Sequence, residues 1–510
     1  VAHTLLANQV QVTSLPAARS KEPRVDDLVK QILTVNDQFW QWGIIPLIVI
    51  TSVIYLVVTK GVQFRLIGQM FRGLREDPGD LPDGTKNISA FQAFAVSSAA
   101  RVGTGNIVGV SAAIAVGGPG AVFWMWLMAI VVAGTAFAES TLAQVYKERT
   151  AAGGFKGGPA YYMKHGLGLP WMGVIFSVIL IFTYPFSFNM VQANTFTGAV
   201  NDSLSGMGVA TSDGTSVVVG IVLASLTAVV IFGGLKRIAH VTQIAVPFMA
   251  LVYLLIGTAV VVVNADRIPG AVSDIFNSAF GIEQFAGATI GTVLMMGVRR
   301  GMFSNEGGMG SAPNAGATAS VSHPVKQGLT QAFGVYFDTL FLCTISAFII
   351  LTTSPVYGDS NVNLVTRGVD AALGGWALQI MALILVLFTF TSVVGNYYYG
   401  EASVKYLFDR PFMVHGLRII VVGLVFLGSI ASLDTVWSFA DVTMGLMATV
   451  NLIAVLALSG VVVKVLRDYD RQRGEGLDPV FTREAAPGLK GLRVWESETA
   501  EEAPAPAYEK

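Results

Sequence analysis

Ser97-Ser98-Ala99-Ala100-Arg101-Val102-Gly103-Thr104-Gly105-Asn106 lies inside an apolar run, Ala90 to Val116, that is long enough to cross a bilayer. Two glycines flank Thr104 near the middle of that run, and Arg101 stands two residues before them. A helix broken and charged at membrane depth exposes backbone groups that are tolerated only where they face protein or a water-filled cavity. Interrupted helices near the midplane are a recurrent way to build a small-solute and ion site. Glycines in membrane helices also serve close helix packing, so the rest of the chain has to decide.

Composition decides the environment. Of 510 residues 53% are hydrophobic and only 13% charged, with a mean hydropathy of +0.61. Soluble domains carry about 25% charged residues, so the chain reads as a polytopic membrane protein. A net charge of −1 gives nucleic acid nothing to bind. The single cysteine, Cys343, cannot form an internal disulfide. No cleavable signal is evident in the mixed, polar first 41 residues.

Eleven apolar segments of roughly spanning length follow: Gly43–Thr59, Ala90–Val116, Ala121–Gln144, Pro170–Phe188, Ser216–Leu235, Val241–Val263, Phe285–Val298, Gly328–Thr352, Trp376–Tyr399, Ile419–Leu433 and Val436–Val463. The seventh is short and runs into Arg299-Arg300-Gly301. With the N-terminus outside, most of the 32 Lys and Arg fall in cytoplasmic loops, among them Arg299 and Arg300, whereas the outer loops hold only Arg267 and Arg367. That asymmetry predicts N-out, C-in. Segments two to six and seven to eleven form two groups of five, inverted relative to each other. Each group begins with an interruption, Gly103-Thr104-Gly105 in one and Met296-Gly297 followed by the glycine run Gly301–Gly310 in the other. Paired interruptions at matching positions point to a transporter site. The expected organisation is an N-terminal extracytoplasmic tail (1–41), an extra helix (42–60), two repeats (88–264 and 283–463) and a charged, disordered cytoplasmic tail (464–510).

Enzyme motifs are absent: there is no His-Glu-x-x-His, Cys-x-x-Cys pair, phosphate loop or Gly-x-Ser-x-Gly elbow. The five histidines fall in tails or predicted loops, which argues against a histidine proton relay. The broken second segment offers backbone N–H groups at Thr104 and Gly105, and a half-helix starting near Asn106 aims its positive end at an anion such as a substrate carboxylate. The carbonyls of Ala99 and Val102 point the other way and suit a cation. The hydroxyls of Thr391 and Ser392 can complete an oxygen cage of the kind hard cations prefer, or simply bond back to their own helix. Gln192, at the end of segment four, suits either a polar solute or helix-to-helix bonding. Arg101, Glu139, Asp338 and Asp441 are the ionisable residues inside spans. They must pair or face water, and Arg101 with Glu139 or Asp338 is a possible gate or static charge pair, the two acids lying toward helix ends.

Four stretches carry a family resemblance: Gly103-Thr104-Gly105-Asn106-Ile107-Val108-Gly109-Val110, Lys156-Gly157-Gly158-Pro159-Ala160-Tyr161-Tyr162, Arg300-Gly301-Met302-Phe303-Ser304-Asn305-Glu306-Gly307-Gly308-Met309-Gly310-Ser311-Ala312-Pro313, and Gly395-Asn396-Tyr397-Tyr398-Tyr399-Gly400-Glu401. In these the chain resembles the alanine/glycine:cation symporters, sodium-coupled amino-acid transporters, from about Trp42 to Val463. The resemblance implies an all-α membrane protein of the leucine-transporter type with a 5+5 inverted-repeat core. It implies substrate binding at Thr104, Gly105 and Gln192 and at a break near Met295, Met296 and Gly297. It also implies a Na⁺ site from the Ala99, Val102 and Phe388 carbonyls and the Thr391 and Ser392 hydroxyls. The function expected is import of a small neutral amino acid, alanine or glycine, by Na⁺ symport through alternating access, with no organic cofactor. A proton-coupled symporter or exchanger of the same fold is the alternative, and an ion channel a more distant one.

Overall fold

The computed structural model describes residues 34–80, 84, 86–281, 289–353, 363–431 and 433–495. Its principal helices, in chain order, are α1 (Thr34–Val58), α2 (Ala90–Arg101), α3 (Gly105–Gly117), α4 (Gly120–Val145), α5 (Pro170–Gly206), α6 (Asp213–Ile231), α7 (Gly234–Val263), α8 (Ile268–Ala279), α9 (Ile290–Asn305), α10 (Ala312–Gly316), α11 (Pro324–Thr353), α12 (Leu364–Leu373), α13 (Gly375–Leu407), α14 (Pro411–Ile430), α15 (Leu433–Ala457) and α16 (Ser459–Gly474), with short helical turns at Val62–Arg65, Ile67–Met70 and Pro159–His165 between them. A two-stranded hairpin, Glu148–Arg149 with Phe155–Lys156, follows α4.

Among the described residues nine helices are long and apolar enough to cross a membrane, or ten if α2 and α3, bent by 48° at their break, count as one. The one expected span that remains, the seventh, is α9. Its 16 residues rise about 24 Å, short of a hydrocarbon core of about 30 Å. The start of that segment as expected, at Phe285, lies outside the described residues. Exposed apolar side chains such as Val218, Val229, Leu255 and Ile419 cover the outward faces, which suits a lipid solvent and not water.

Small residues let the interior helices approach. A Cβ on Gly395 of α13 would stand 2.8 Å from the Ala100 amide nitrogen of α2, and one on Gly120 would run into the backbone of Ser278 and Ala279. α5 is longer than expected: a stretch of wide π-turns, Phe182–Phe188, absorbs Pro185, and the helix continues to Gly206. Gln192 is therefore a buried mid-helix residue, not the end of a span.

Three other expectations are corrected. Arg299 and Arg300 are not in a loop: they are buried in α9, where both reach Asp441 of α15 (3.4 and 2.8 Å) and lie over the rings of Trp40 and Trp437. The tail is not disordered from residue 464. α16 continues to Gly474, and the segment after it packs back on the helix ends, with Phe481 and Trp495 buried. The Phe481 amide donates to Ser322 O (2.9 Å) and the Trp495 indole to Gln144 O (3.2 Å). Third, His323 is fully buried, capping α11 by accepting from the Val325 amide and lying 3.4 Å from Asp468, while His240 and His415 lie on α7 and α14. Residues 1–33 and 496–510 lie outside the described residues.

Candidate transport site

Ser89 and Gln92 start α2 with a reciprocal capping box, each side chain accepting from the other's amide at 3.1 Å. The helix ends where Val102 turns extended (ψ 92°). The Gly103 amide, which in an unbroken helix would close on Ala99, donates instead to Asn106 Oδ1 at 3.0 Å. Thr104 donates twice to Gln192 Oε1 of α5, from its amide (3.2 Å) and its hydroxyl (2.6 Å). The structure thus brings Thr104 and Gln192 together, and the glutamine oxygen occupies the amide expected to meet a carboxylate. α3 then begins in wide π-turns, Gly105–Gly109, a geometry frequent at functional sites.

Immediately beside the break lies a group of oxygens. Ser392 Oγ of α13 is 2.9 Å from Phe388 O on its own helix and 3.4 Å from Val102 O across the break. Thr391 Oγ1 is 3.0 Å from both Phe388 O and Leu387 O and 3.5 Å from Met249 Sδ, so it faces α7 more than α2. Ala99 is fully buried in the last turn of α2, one turn before Val102. A Cβ on Gly103 would overlap Ser392 Oγ and stand 3.2 Å from Gln192 Oε1, so the glycine is what allows the polar groups of both neighbours to meet. Among the described residues no group of three or more His, Cys, Asp or Glu can hold a metal. A cation here would be held by neutral oxygens, the donor set that suits a weakly bound alkali ion.

The second break is nine residues beyond Gly297. Met295, Met296 and Gly297 lie inside α9, and a Cβ on Gly297 would meet Ala121 O at 2.5 Å and Trp124 Cβ at 2.6 Å. That glycine serves helix packing against α4. The chain breaks instead at Glu306, which has a left-handed φ of 57°, with Gly308 and Gly310 left-handed as well. The two interrupted helices meet at Phe303 and Ser304: a Cβ on Gly105 would stand 3.0 Å from Ser304 Cα and 3.1 Å from the Phe303 ring, and Asn106 Nδ2 donates to Ser304 Oγ at 3.1 Å. Phe303 in turn packs on Phe188 and Trp437, with both ring centroids 4.6 Å away.

Each buried ionisable residue has a defined partner set. Arg101 donates to Gln331 Oε1 (2.9 Å), and its Nε is 3.9 Å from Glu306 Oε2. Its acid is therefore Glu306 at the second break, which sequence reasoning missed, and neither Glu139 nor Asp338. Glu306 also accepts from Ser311 Oγ (2.8 Å) and Tyr399 OH (3.2 Å). Glu139 is fully enclosed rather than near water. It accepts from the Gly308 and Gly310 amides (3.2 and 3.1 Å) and Asn451 Nδ2 (2.7 Å), so it satisfies backbone that the second break sets free. Asp338, also fully buried, accepts from Asn106 Nδ2 (2.6 Å), Ser304 Oγ (2.6 Å) and Thr339 Oγ1 (3.2 Å), and so joins both breaks.

Two broken helices that meet over a buried cluster of amides, hydroxyls and carbonyls in a helical membrane protein are the arrangement of a secondary transporter. The model of the sodium:alanine symporter family matches residues 25–483, and the chain belongs to that family. It is 45% identical to the amino-acid carrier protein AlsT of Bacillus subtilis, covering 90% of this chain and 96% of that one. It is 43% identical to the probable sodium/glutamine symporter GlnT of the same organism (90% and 94%), and 38% identical to the sodium/alanine symporter AgcS of Methanococcus maripaludis (88% and 98%). The crystal structure of MhsT in complex with L-phenylalanine shares the fold, with a TM-score of 0.51 at 14% identity over 74% of this chain and 97% of that one. The fold is thus of the leucine-transporter type, and the activity class is Na⁺-coupled amino-acid symport.

Proposed function

We propose that the chain imports a small neutral amino acid, alanine or glycine, together with Na⁺, across the plasma (inner) membrane, with its N-terminus outside and C-terminus in the cytoplasm. The observation that carries this reading is the contact between the α2–α3 break and Gln192 on one side and the Val102, Phe388 and Ser392 oxygens on the other. Substrate carboxylate takes the Thr104 and Gly105 amides as Gln192 Oε1 gives way, and Gln192 then serves the substrate. Na⁺ takes the Ala99, Val102 and Phe388 carbonyls with the Ser392 and Thr391 hydroxyls. Because Val102 belongs to one helix and Ser392 to another, a bound cation favours the arrangement that keeps them together, and this couples ion to substrate. Alternation is rocking of the two repeats, 88–264 and 283–463, about this fixed site, with 42–60 standing outside them. With a zwitterionic substrate each Na⁺ moves one net charge, worth ~2.3 kcal/mol per 100 mV.

Close packing of Phe303 over Gly105 supports a small side chain. The names of the relatives include glutamine as well as alanine, so glutamine is the competitor to test. Thermal unfolding of the detergent-solubilised protein reads binding directly, since a ligand at a hundred times its Kd adds about 2.7 kcal/mol. Stabilisation by alanine and glycine only when Na⁺ is present supports the reading; stabilisation by glutamine alone transfers the site to a larger substrate.

A second reading, coupling to a proton, rests on Asp338, whose carboxylate touches both breaks through Asn106 and Ser304. An Asp338→Asn variant that retains Na⁺-driven uptake removes it.

A further inference from the structure

A cavity of about 450 Å³ lies between the linker that follows α1, the start of α11 and the segment that follows α16. Arg72, Arg75, Lys326 and Arg473 line it, with two acids, Glu76 and Asp478. Both acids are already engaged: Glu76 Oε1 is 3.2 Å and Asp478 Oδ1 2.9 Å from Lys326 Nζ, and Glu76 also accepts from the Ser322 amide at 3.0 Å. The guanidinium groups of Arg72, Arg75 and Arg473 have no hydrogen-bond or carboxylate partner among the described residues. Three like charges facing one cavity repel each other, and an anion that enters relieves the repulsion while accepting several hydrogen bonds.

The same linker carries Phe64, Ile67 and Phe71, spaced i, i+3 and i+7 and each about half exposed (51, 52 and 50%). Exposed apolar and basic side chains close together on one linker suit a membrane interface. A neighbouring cavity shares Arg473 and is lined also by Lys60, Arg65 and Asp470; Arg65 is paired with Asp470 at 2.7 Å, which leaves Lys60 as the further cation on the linker. Phosphate oxygens match a guanidinium fork, and acyl chains match Phe64, Ile67 and Phe71. We propose that this cavity binds the phosphate headgroup of an anionic phospholipid, with Arg72, Arg75 and Arg473 as its donors. Because Arg473 closes α16 while Arg72 and Arg75 belong to the linker, the bound headgroup ties the C-terminal segment to the linker at the membrane surface.

The test is native mass spectrometry of the full chain in neutral detergent, titrated with phosphatidylglycerol or phosphatidylcholine. The wild type is expected to retain phosphatidylglycerol in preference to phosphatidylcholine. The triple variant Arg72→Gln, Arg75→Gln, Arg473→Gln is expected to bind phosphatidylglycerol about tenfold to a hundredfold more weakly, and Arg367→Gln, remote from the cavity, to bind it as wild type does. The single variant Arg473→Gln, at an exposed helix end, should show a partial loss and serves if the triple variant does not fold. Equal retention by wild type and by the arginine variants overturns the site. Displacement of the lipid by inorganic phosphate or glycerol phosphate overturns the lipid and assigns the cavity to a soluble phosphate.

Discussion

Replacing Ser392 by alanine removes a single oxygen that touches carbonyls on both sides of the α2–α3 break. The fold should tolerate the loss, because Phe388 O keeps the Thr391 hydroxyl at 3.0 Å and the smaller side chain eases the crowding at Gly103. Its cost should fall on the ion. A hydrogen bond or ligand contact to a charged group is worth about 1.5–3 kcal/mol, so the Na⁺ concentration for half-maximal uptake should rise roughly tenfold to a hundredfold. Thr391→Val should raise it less, since that hydroxyl faces Met249 and its own helix and not Val102. The assay is uptake of labelled alanine into proteoliposomes over a Na⁺ series, with far-ultraviolet circular dichroism to establish that each variant is folded. An unchanged Na⁺ dependence in Ser392→Ala would refute the placement of the cation between α2 and α13. A larger shift in Thr391→Val than in Ser392→Ala would refute the ranking drawn from the geometry.

Gln192→Ala should weaken alanine binding in the thermal-shift assay, and unaltered affinity would leave Gln192 as a purely structural cap on Thr104. Glu139→Ala leaves the Gly308 and Gly310 amides without their acceptor and should destabilise the protein by about 1–3 kcal/mol for each buried donor left unpaired, whereas Glu139→Gln, which keeps one acceptor oxygen, should lose less; equal melting temperatures for the two variants would contradict this. Gly120→Ala drives a methyl group into the backbone of Ser278 and Ala279 and should cost about 1–3 kcal/mol, read as a lower melting temperature. Glu148, on the hairpin after α4, is held down to about 2 from 4.5, first by its hydrogen bond with His165, which outweighs the opposing effect of burial, and further by the Lys164 and Lys156 charges. A depressed carboxylate stabilises fully above its unfolded value, and that contribution fades as pH falls from about 4.5 toward 2. Glu148→Gln should flatten the fall in melting temperature over that window, and an unchanged pH profile would dismiss the pair.

The first break was legible because Gly-Thr-Gly beside Arg101 inside an apolar run is matched by a second glycine-rich interruption further along the chain. The second was legible in kind but not in place. Gly297 carries the same letter as Gly308 and Gly310, yet it serves close packing on α4 and only the other two adopt left-handed backbone. Glu306, which also turns left-handed and supplies the partner of Arg101, gives no signal of its own in a window of sequence. Arg299 and Arg300 read as a loop because their counter-charge, Asp441, is some 140 residues away and their aromatic partners, Trp40 and Trp437, are on other helices. The tail read as disordered because charge dominates its composition. Its order depends on a few apolar anchors, Phe481 and Trp495 among them, that meet surfaces made by distant segments. In each case local pattern identified a feature, and the missing part was a contact between residues far apart in the chain.

The most direct test of the central claim is uptake of labelled alanine into proteoliposomes under an inward Na⁺ gradient, compared with an equal K⁺ gradient and with an inward proton gradient. Concentrative uptake with Na⁺ alone is predicted. Equal uptake driven by protons without Na⁺ would contradict the cation site at Val102, Phe388 and Ser392 and move coupling to Asp338.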